Sequence, residues 1–316
     1  MIIVTGGAGF IGANIVHGLN RAGETNILVV DNLTKGDKFL NLRDLLYADY
    51  MDKVEFRHAL EAGRFDETKI TAIYHQGACS DTMEYDGRYM LDNNFTYSKV
   101  LLQFALRYRI PFVYASSAAT YGDSTTFKEV PENENPLNVY GYSKLLFDQY
   151  AQRHFRQAKS TIAGLRYFNV YGPREVHKGR MASMVYQLYH QLAGDGVCHL
   201  FEGTGGYENG GQRRDFVSVA DVVDVNLFLA RGEPRQGIFN VGTGKSRSFN
   251  AIARAIIKEI GRGEIRYKPM PEVLAEKYQN FTEADIGALR AAGYDTPFTE
   301  LEEGVAALIR TLAGDT

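Results

Sequence analysis

The stretch NVYGYSKLLFDQY, from Asn138 to Tyr150, places a tyrosine, Tyr140, four residues before a lysine, Lys144. Side chains four apart on a helix project from the same face, so this phenol and this ammonium would share one space. A nearby cation favours the ionised form of a phenol, which predicts that Lys144 lowers the pKa of Tyr140 and fits it for proton transfer near neutral pH. With 20 tyrosines in the chain, about one such pair is expected by chance, so the pair indicates catalysis only beside a cofactor site.

A glycine-rich turn near the N-terminus predicts that cofactor site. The stretch TGGAGFIG contains both Gly7-x-Gly9-x-x-Gly12 and Gly6-x-x-Gly9-x-x-Gly12, between a strand pattern and a helical one. Such glycines permit a tight turn and a close approach of backbone N–H groups to a pyrophosphate at the helix N-terminus. Asp31 ends the next strand pattern, where an acid would meet the adenosine ribose. We therefore predict dinucleotide binding, not merely a tight turn.

The residues around Asp31 leave the choice between NAD and NADP open. Asp31 alone would favour the free ribose 2′-hydroxyl of NAD and repel the 2′-phosphate of NADP. Asn32 follows it, and Lys35, Lys38 and Lys53 could supply compensating positive charge. The same lysines could instead form a solvated face.

Composition limits the possible classes of function. At 316 residues the chain exceeds the usual size of a single core, so we expect two subdomains, or one large one with a lobe. A net charge of -3 offers no basic field for nucleic acid. Cys79 and Cys198 lack metal-type spacing, which predicts no metal site and a reducing, cytoplasmic location. No signal-peptide pattern or membrane-length apolar run occurs, so we expect no membrane partner.

Strand and helix patterns alternate through the first half of the chain. This alternation predicts an α/β fold with a Rossmann-type, doubly wound parallel sheet. The predicted strands cover residues 2–6, 26–31, 72–78, 111–117 and 160–170, with helical patterns between them that include 11–23 and 86–109.

The pattern becomes irregular after Pro173, which predicts a smaller mixed α/β substrate-binding lobe toward the C-terminus. Two later stretches, 222–230 and 237–242, look like a helix and a strand that return to the main sheet. We therefore expect an NAD(P)-binding Rossmann domain at 1–172 plus about 215–246, and the lobe at 173–214 plus about 247–316.

Four motifs occur in the order found in a known enzyme family. TGGAGFIG, ASSAATYG, the Tyr140–Lys144 pair and RYFNVYGPR together resemble the extended short-chain dehydrogenases/reductases, over essentially the whole chain. Within that family, VVDNL, GACS, PLNVYGYSK and REVHKGRMAS are similar to stretches of the nucleotide-sugar epimerases that act on ADP-heptose.

The resemblance implies an isomerase that interconverts ADP-D-glycero-β-D-manno-heptose and ADP-L-glycero-β-D-manno-heptose, for the supply of lipopolysaccharide core heptose. The implied chemistry is transient oxidation at C6″ and hydride return to the opposite face. It also implies tightly bound and recycled NADP, with NAD as the alternative, and a homo-oligomer in the cytoplasm of a Gram-negative bacterium.

The resemblance also assigns catalytic roles. It implies that Tyr140 is the acid/base, and that Lys144 lowers its pKa and hydrogen-bonds the nicotinamide ribose. Ser117, with Ser116 as the second choice, would hydrogen-bond the reacting oxygen, although a serine at a strand end could simply cap the backbone. Lys178 would be a second proton-transfer group beside the substrate, although it could also be a solvated loop lysine.

Binding positions carry over from the family residue by residue. The implied cofactor positions are Gly6, Gly9, Phe10, Ile11, Gly12, Asp31, Asn32, Lys38, Lys53, Gln76, Gly77, Ala78, Cys79, Ser80, Asn93, Lys144, Val170 and Lys178. The implied substrate positions are Asn169, Arg180, Gln187, Phe201, Glu202, Gly203, Thr204, Arg214 and Tyr278. An arginine such as Arg214 suits a diphosphate because its guanidinium donates two parallel hydrogen bonds.

The sequence departs from the family pattern at three places. Arg180 and Gln187 stand where Ser and His are common, and Gln76 stands where an acid is frequent. The longer loop at 205–212 leaves open whether Arg213 or Arg214 is the phosphate ligand.

The sequence leaves two alternatives open. One is another nucleotide-sugar epimerase, dehydratase or reductase, although a dehydratase would need an Asp-Glu pair where Ala118-Ala119 stands. The other is a non-catalytic dinucleotide sensor, which would have no need for Ser117, Tyr140 and Lys144 together.

Overall fold

A parallel sheet with helices on both faces forms the larger part of the structure, a computed structural model that describes residues 1–271 and 279–314. Its strands and helices alternate along the chain. They are β1 Ile2–Thr5, α1 Phe10–Arg21, β2 Ile27–Asp31, β3 Asp49–Asp52, α2 Lys53–Glu61, β4 Ala72–His75, α3 Gly87–Leu91, α4 Tyr97–Tyr108, β5 Phe112–Ser117, α5 Val139–Gln152 and β6 Ile162–Tyr167.

The chain then leaves the main sheet, returns to it once, and leaves again. The later elements are β7 Asn169–Tyr171, α6 Met184–Asp195, β8 Val197–Phe201, β9 Arg213–Ser218, α7 Val219–Ala230, β10 Gln236–Val241, β11 Ser246–Ser248, α8 Phe249–Ile260, β12 Glu264–Lys268, α9 Gly287–Ala291 and α10 Leu301–Ala313.

Seven parallel strands pair in the order β10-β6-β5-β4-β1-β2-β3. Because the register pairs Thr5 with His75 and Asp31 with Asp52, the carboxyl ends of these strands lie along one edge of the sheet. Ligands of open parallel sheets bind outside that edge. The predicted Rossmann-type sheet is confirmed.

The sheet is buried on both faces, which explains why its strands are almost continuously apolar. Successive residues of β1 enter different cores: Val4 packs with α1 and α7, and Ile3 packs with α2, α4 and α5. Every residue of β1, β2 and β4 is buried.

Three local features differ from the predicted elements. Strand β3 was absent from the sequence interpretation, because DYMD is an edge strand with no buried residue. The predicted helix at 86–109 contains a π-helical turn at Asp92–Thr96, between α3 and α4. The predicted strand at 160–170 divides into β6 and β7, because the chain turns away from the main sheet at Phe168.

The smaller lobe has its own core and two small sheets. Strands β7, β9 and β11 form one sheet, and β8 and β12 form the other. Helices α6, α8 and α10 contribute the core residues Leu188, Ile252 and Leu308. The predicted return of a helix and a strand is confirmed by α7 and β10, while the division into cofactor and substrate domains stays a prediction. Within residues 1–271 and 279–314, no helix is both long and apolar enough to cross a membrane.

Candidate active site

The glycine-rich turn joins β1 to α1 at the carboxyl edge of the sheet. Gly6 has a φ of +66°, and a Cβ there would lie 2.6 Å from the backbone nitrogen of Gly77. A Cβ on Gly12 would lie 2.1 Å from the carbonyl oxygen of Gly6. These positions tolerate only glycine, so the turn brings the N-terminal residues of α1, Phe10 and Ile11, to the sheet edge. The backbone N–H groups of a first helical turn have no partner within the helix and suit a pyrophosphate.

The Asp31 carboxylate at the end of β2 accepts hydrogen bonds from three groups of the protein itself. One oxygen accepts hydrogen bonds from the Lys38 ammonium at 2.7 Å and the Asn32 backbone at 2.7 Å, and the other accepts one from Ala8 N–H at 2.9 Å. Lys53 donates instead to the Asn93 side chain at 2.5 Å. Lys38 therefore balances the charge of Asp31, while Lys53 lies farther along the same edge.

The run at 76–80 follows β4 and packs against the turn. The Gln76 side chain bridges the Tyr167 hydroxyl and Asn226, at 3.0 and 3.2 Å. The Asn94 side chain pairs with both the N–H and the C=O of Cys79, at 2.8 and 2.9 Å. Asn94 lies in the π-helical turn, beside Asn93. Sequence reasoning missed Asn94, because no residue pattern indicates a π-turn.

Tyr140 and Ser117 meet where β5 ends and α5 begins. The Asn138 side chain caps α5 by accepting from Gly141 N–H at 2.8 Å, which places Tyr140 in the first turn. Burial raises the pKa of Tyr140, and a hydrogen bond with Ser117 acts in the opposite direction. The Ser117 hydroxyl also caps the backbone by accepting from Ala119 N–H at 3.1 Å. The capping interpretation of Ser117 is confirmed, and its hydrogen bond to the reacting oxygen stays a prediction.

Lys144 does not act on Tyr140 as the spacing predicted. Its ammonium donates to the Ala115 carbonyl at 2.8 Å, and burial lowers the pKa of Lys144 to about 8. The pKa of Tyr140 is raised, and Ser117 is the neighbour that opposes this rise. The expected lowering of the Tyr140 pKa by Lys144 is thus not found in this structure, because burial of the phenol raises that pKa and the Lys144 ammonium is bound to the Ala115 carbonyl.

Ser116 belongs to a buried ionic network instead of facing Tyr140. Its hydroxyl donates to Asp148 at 2.8 Å, and Asp148 accepts from Arg166 at 3.0 Å. Arg166 also pairs with Glu134 at 2.5 Å and is fully buried. Removing one partner of such a pair costs about 3–5 kcal/mol. Of the two candidate serines, Ser117 is therefore the one available for chemistry. Asp148, four residues after Lys144 on α5, was missed.

Lys178 lies at the glycine-rich turn, in the 3₁₀ segment Val176–Met181. Its ammonium is 4.7 Å from the centre of the Phe10 ring and 3.4 Å from the Glu175 carboxylate. The neighbouring His177 hydrogen-bonds Asn41 at 3.0 Å, and burial, followed by the charges of Lys38 and Lys178, lowers its pKa to about 4. Lys178 is thus not a freely solvated loop lysine.

The substrate residues predicted on β7 and on the segment after it do not form one cluster. Asn169 is exposed, whereas the neighbouring Val170 packs against the core between the sheet and helices α1 and α7. Arg180 is exposed and forms an ion pair with Asp81 at 3.1 Å, just beyond the run at 76–80. Gln187 donates to the carbonyls of Ala182 and Arg180, at 2.6 and 3.3 Å.

A pocket in the smaller lobe brings together further substrate candidates. Arg214 is buried, with its guanidinium 5.8 Å from the centre of the Phe249 ring, whereas Arg213 donates to Ser246 at 3.0 Å. Adjacent strand residues point to opposite faces, and Arg214 is the arginine whose guanidinium lies near Phe249, a residue that lines the pocket. The pocket is lined by Met184, Gln187, Gln191, His199, Leu200, Phe201, Gln212, Phe249 and Lys268.

The segment after β8 connects this pocket to the longer loop. Glu202 accepts through its carbonyl from Gln212 at 2.9 Å, Gly203 N–H donates to Asn209 at 2.9 Å, and Thr204 donates to Asn280 at 2.8 Å. Tyr278 lies outside the described residues. Phe249 and Lys268 were missed, because they come from distant segments and carry no motif.

The sequence profile of the NAD dependent epimerase/dehydratase family matches residues 2–242. The chain belongs to this family. A member from Alkalilimnicola ehrlichii, ADP-L-glycero-D-manno-heptose-6-epimerase, is 55% identical over 307 residues, which cover 96% of this chain and 95% of that one. The protein of the same name from Thiobacillus denitrificans is 54% identical over 325 aligned positions, with 98% of both chains covered.

The fold comparison agrees with the sequence matches to the epimerase/dehydratase family. The crystal structure of ADP-L-glycero-D-manno-heptose-6-epimerase from Helicobacter pylori superposes with a TM-score of 0.85, at 29% identity, covering 99% of this chain and 96% of that one. The predicted resemblance to nucleotide-sugar epimerases is confirmed. As a member of an NAD-dependent family, the protein uses a nicotinamide cofactor.

Proposed function

We propose that this protein is an isomerase that interconverts ADP-D-glycero-β-D-manno-heptose and ADP-L-glycero-β-D-manno-heptose. The observation that carries the proposal is that two side chains able to transfer protons, Tyr140 and Lys178, lie on different elements at the carboxyl edge of the parallel sheet. Tyr140 contacts Ser117 at the end of β5, and Lys178 lies over Phe10 at the start of α1. The names of the relatives at 55% and 54% identity support the same substrate.

The chemistry explains why a cofactor is needed. C6″ of the heptose carries a hydroxyl and no adjacent carbonyl, so its C–H bond is not acidic enough for a side-chain base. The nicotinamide supplies a reversible hydride acceptor for this carbon. What the protein must provide is a base for the hydroxyl proton and a site that holds the ketone.

We assign the first proton transfer to Tyr140. Its phenolate oxygen takes the hydroxyl proton of one epimer while Ser117 donates a hydrogen bond to the same substrate oxygen. Burial raises the pKa of Tyr140, which makes its phenolate a stronger base for that hydroxyl proton. Lys144, four residues along α5, would hydrogen-bond the nicotinamide ribose.

Inversion at C6″ requires a second proton-transfer group. For its opposite face to be reduced, the ketone must turn, and this carries its oxygen away from Tyr140. The alkoxide formed there must receive a proton, which we assign to the ammonium of Lys178. In the reverse direction the Lys178 amine takes that proton back, so each epimer has its own base.

The decisive experiment incubates ADP-D-glycero-β-D-manno-heptose with the protein and follows the sugar by NMR. We expect conversion to a mixture with the L-glycero epimer, without net consumption of cofactor. Loss of water from the sugar would indicate a dehydratase, and no change would contradict the proposed reaction.

The same NMR experiment in deuterium oxide tests the route of the C6″ hydrogen. We expect no deuterium at C6″ in either epimer, because Tyr140 and Lys178 exchange protons only with oxygen. Exchange at C6″ as fast as epimerisation would mean that a side-chain base removes the carbon-bound proton, and would contradict the hydride route.

Cofactor binding is proposed for the turn at 6–12, the corner formed by Asp31, Asn32 and Lys38, the run at 76–80, and Lys53 with Asn93. We propose NADP as the preferred cofactor, with NAD as the alternative. The 2.7 Å pair between Lys38 and Asp31 supports this preference, because it removes uncompensated negative charge from the corner that would meet a 2′-phosphate.

Replacing both Lys38 and Lys53 with methionine should weaken NADP binding about 10–100-fold and NAD binding far less, because only NADP carries the extra phosphate charge. Cofactor titration of the stripped protein measures both constants. Lys159→Met is the matched control, since Lys159 is exposed and precedes β6, at the opposite end of the sheet strands from Asp31. Equal losses for both cofactors would show that these lysines are not phosphate contacts.

For the nucleotide part of the substrate, we propose the pocket that contains Gln187 and Phe201. Arg214 would hold the diphosphate, and the segment at 202–204 would border the nucleoside. Asn169 and Arg180 would lie nearer the sugar, because Arg180 belongs to the segment that carries Lys178 and Asn169 lies on β7, which precedes that segment. Tyr278 remains assigned to the substrate by resemblance.

A further inference from the structure

Glu175 is a fully buried carboxylate at the base of the segment that carries Lys178. Four donors converge on its two oxygens. One oxygen accepts from Gly172 N–H at 3.3 Å and from the Ser183 hydroxyl at 2.7 Å. The other accepts from Ser183 N–H at 2.6 Å and from the Lys178 ammonium at 3.4 Å. The ammonium of Lys178 is the charged group among these donors.

Three of these hydrogen bonds fasten the segment at both ends. Gly172 follows β7, and Ser183 caps α6 by accepting from Tyr186 N–H at 3.2 Å. Glu175 therefore joins the end of one strand to the beginning of one helix, with Val176–Met181 between them. This fixes the backbone of Lys178.

The fourth contact fixes the side chain of Lys178. Its ammonium lies between the Glu175 carboxylate at 3.4 Å and the Phe10 ring at 4.7 Å, and the side chain is 22% exposed. A lysine has many rotamers, and two attractive contacts on its head group restrict them. A buried carboxylate in turn requires a partner, so Glu175 favours the geometry in which Lys178 stays close.

We propose that Glu175 is the positioning residue of Lys178: it holds the ammonium at the glycine-rich turn, where the second epimer needs its proton donor. This inference rests on the proposed function, because it assumes that Lys178 serves one of the two epimers. Glu175 itself does not contact the substrate in this assignment. Its effect on the reaction passes through Lys178.

The test compares Glu175→Gln, Lys178→Met and Ser183→Ala with the wild-type protein. Ser183→Ala is the matched control, because it removes a fastening hydrogen bond but leaves the carboxylate beside Lys178. Oxidation of each epimer is measured separately in a single turnover, from the reduced nicotinamide formed. The epimer that Lys178→Met fails to oxidise defines the Lys178-dependent half-reaction.

We expect Glu175→Gln to slow the Lys178-dependent half-reaction about 10–100-fold, because misplacing a catalytic group by an ångström has effects of this size. The other half-reaction and both KM values should change less than about twofold, since Tyr140 is untouched. Ser183→Ala should leave both half-reactions within about twofold of the wild type. In a protein that already carries Lys178→Met, adding Glu175→Gln should not change the rate of either half-reaction further.

A second readout needs no catalysis. Limited acylation of the protein without substrate, followed by mass spectrometry, measures the reactivity of the Lys178 amine. The contact with the buried Glu175 carboxylate holds the Lys178 ammonium in place, so Glu175→Gln should free this side chain and raise Lys178 labelling several-fold, whereas Ser183→Ala should not. If Glu175→Gln fails to fold, Glu175→Asp replaces it, because it keeps the charge while withdrawing it from Lys178.

The possible failures are distinguishable. If Lys178→Met oxidises both epimers normally, the two-base function is wrong. If Lys178→Met blocks one half-reaction while the Glu175 variants leave both unchanged, the positioning role is overturned. Equal slowing of both half-reactions by Glu175→Gln and Ser183→Ala would also overturn it, because Glu175 would then only fasten the segment.

Discussion

Replacing Lys178 with methionine should abolish epimerisation while one half-reaction survives. The methionine fills a similar volume and keeps the contact with the Phe10 ring, but it has no proton to donate. Tyr140 and Ser117 remain in place, so the epimer that they serve should still be oxidised and its ketone reduced back. The variant would oxidise only one of the two epimers and reduce the ketone back to that same epimer.

NMR of the sugar and single-turnover spectra of the nicotinamide measure these two outcomes. We expect the epimerisation rate to fall by about 10²–10⁴-fold, the range of general acid–base contributions. Lys128→Met, at an exposed lysine, is the control for loss of a positive charge. Normal epimerisation by Lys178→Met would refute the assignment of a second base.

The Tyr140→Phe variant should keep its fold and its cofactor, but it should no longer convert either epimer to the other. Without the phenol, the C6″ hydroxyl of one epimer has no base. Each complete epimerisation passes through both epimers, so it needs both bases. We expect kcat to fall about 10²–10⁴-fold. The ring of phenylalanine preserves the packing at the start of α5.

Tyr142→Phe is the matched control, because Tyr142 lies on the same helix and is 48% exposed. It should have close to wild-type activity. Cofactor content and thermal unfolding of both variants confirm that only the hydroxyl has changed. A Tyr140→Phe variant with more than about a tenth of the wild-type rate would exclude Tyr140 as the acid/base.

The features that could be predicted from sequence are those that depend on local backbone. The glycine-rich turn needs Gly12 for a contact within the βα unit itself and Gly6 for its positive φ, and Asp31 follows one strand later. The alternation of apolar strands and helices predicts the sheet because both of its faces are buried. Helical spacing similarly places Tyr140 and Lys144 on one helix.

The features that could not be predicted depend on contacts between distant segments. The spacing of Lys144 says nothing about its bond to the Ala115 carbonyl, which comes from β5. Ser116 and Ser117 are neighbours in sequence, and only the buried Asp148–Arg166 pair separates their roles. Phe249 joins the pocket from a helix that no motif marks.

The position of β10 at the edge of the seven-stranded sheet has a consequence for biosynthesis. Strand β10 pairs with β6, yet about 70 residues of the smaller lobe and α7 lie between them in the chain. At ribosomal speeds of about 5–20 residues per second, the open edge of β6 waits roughly 4–14 s for its neighbour. During that interval the nascent chain exposes unpaired N–H and C=O groups, to which another nascent chain could add a strand. Premature termination within the smaller lobe would therefore leave a fragment prone to aggregation, in need of a chaperone or a protease.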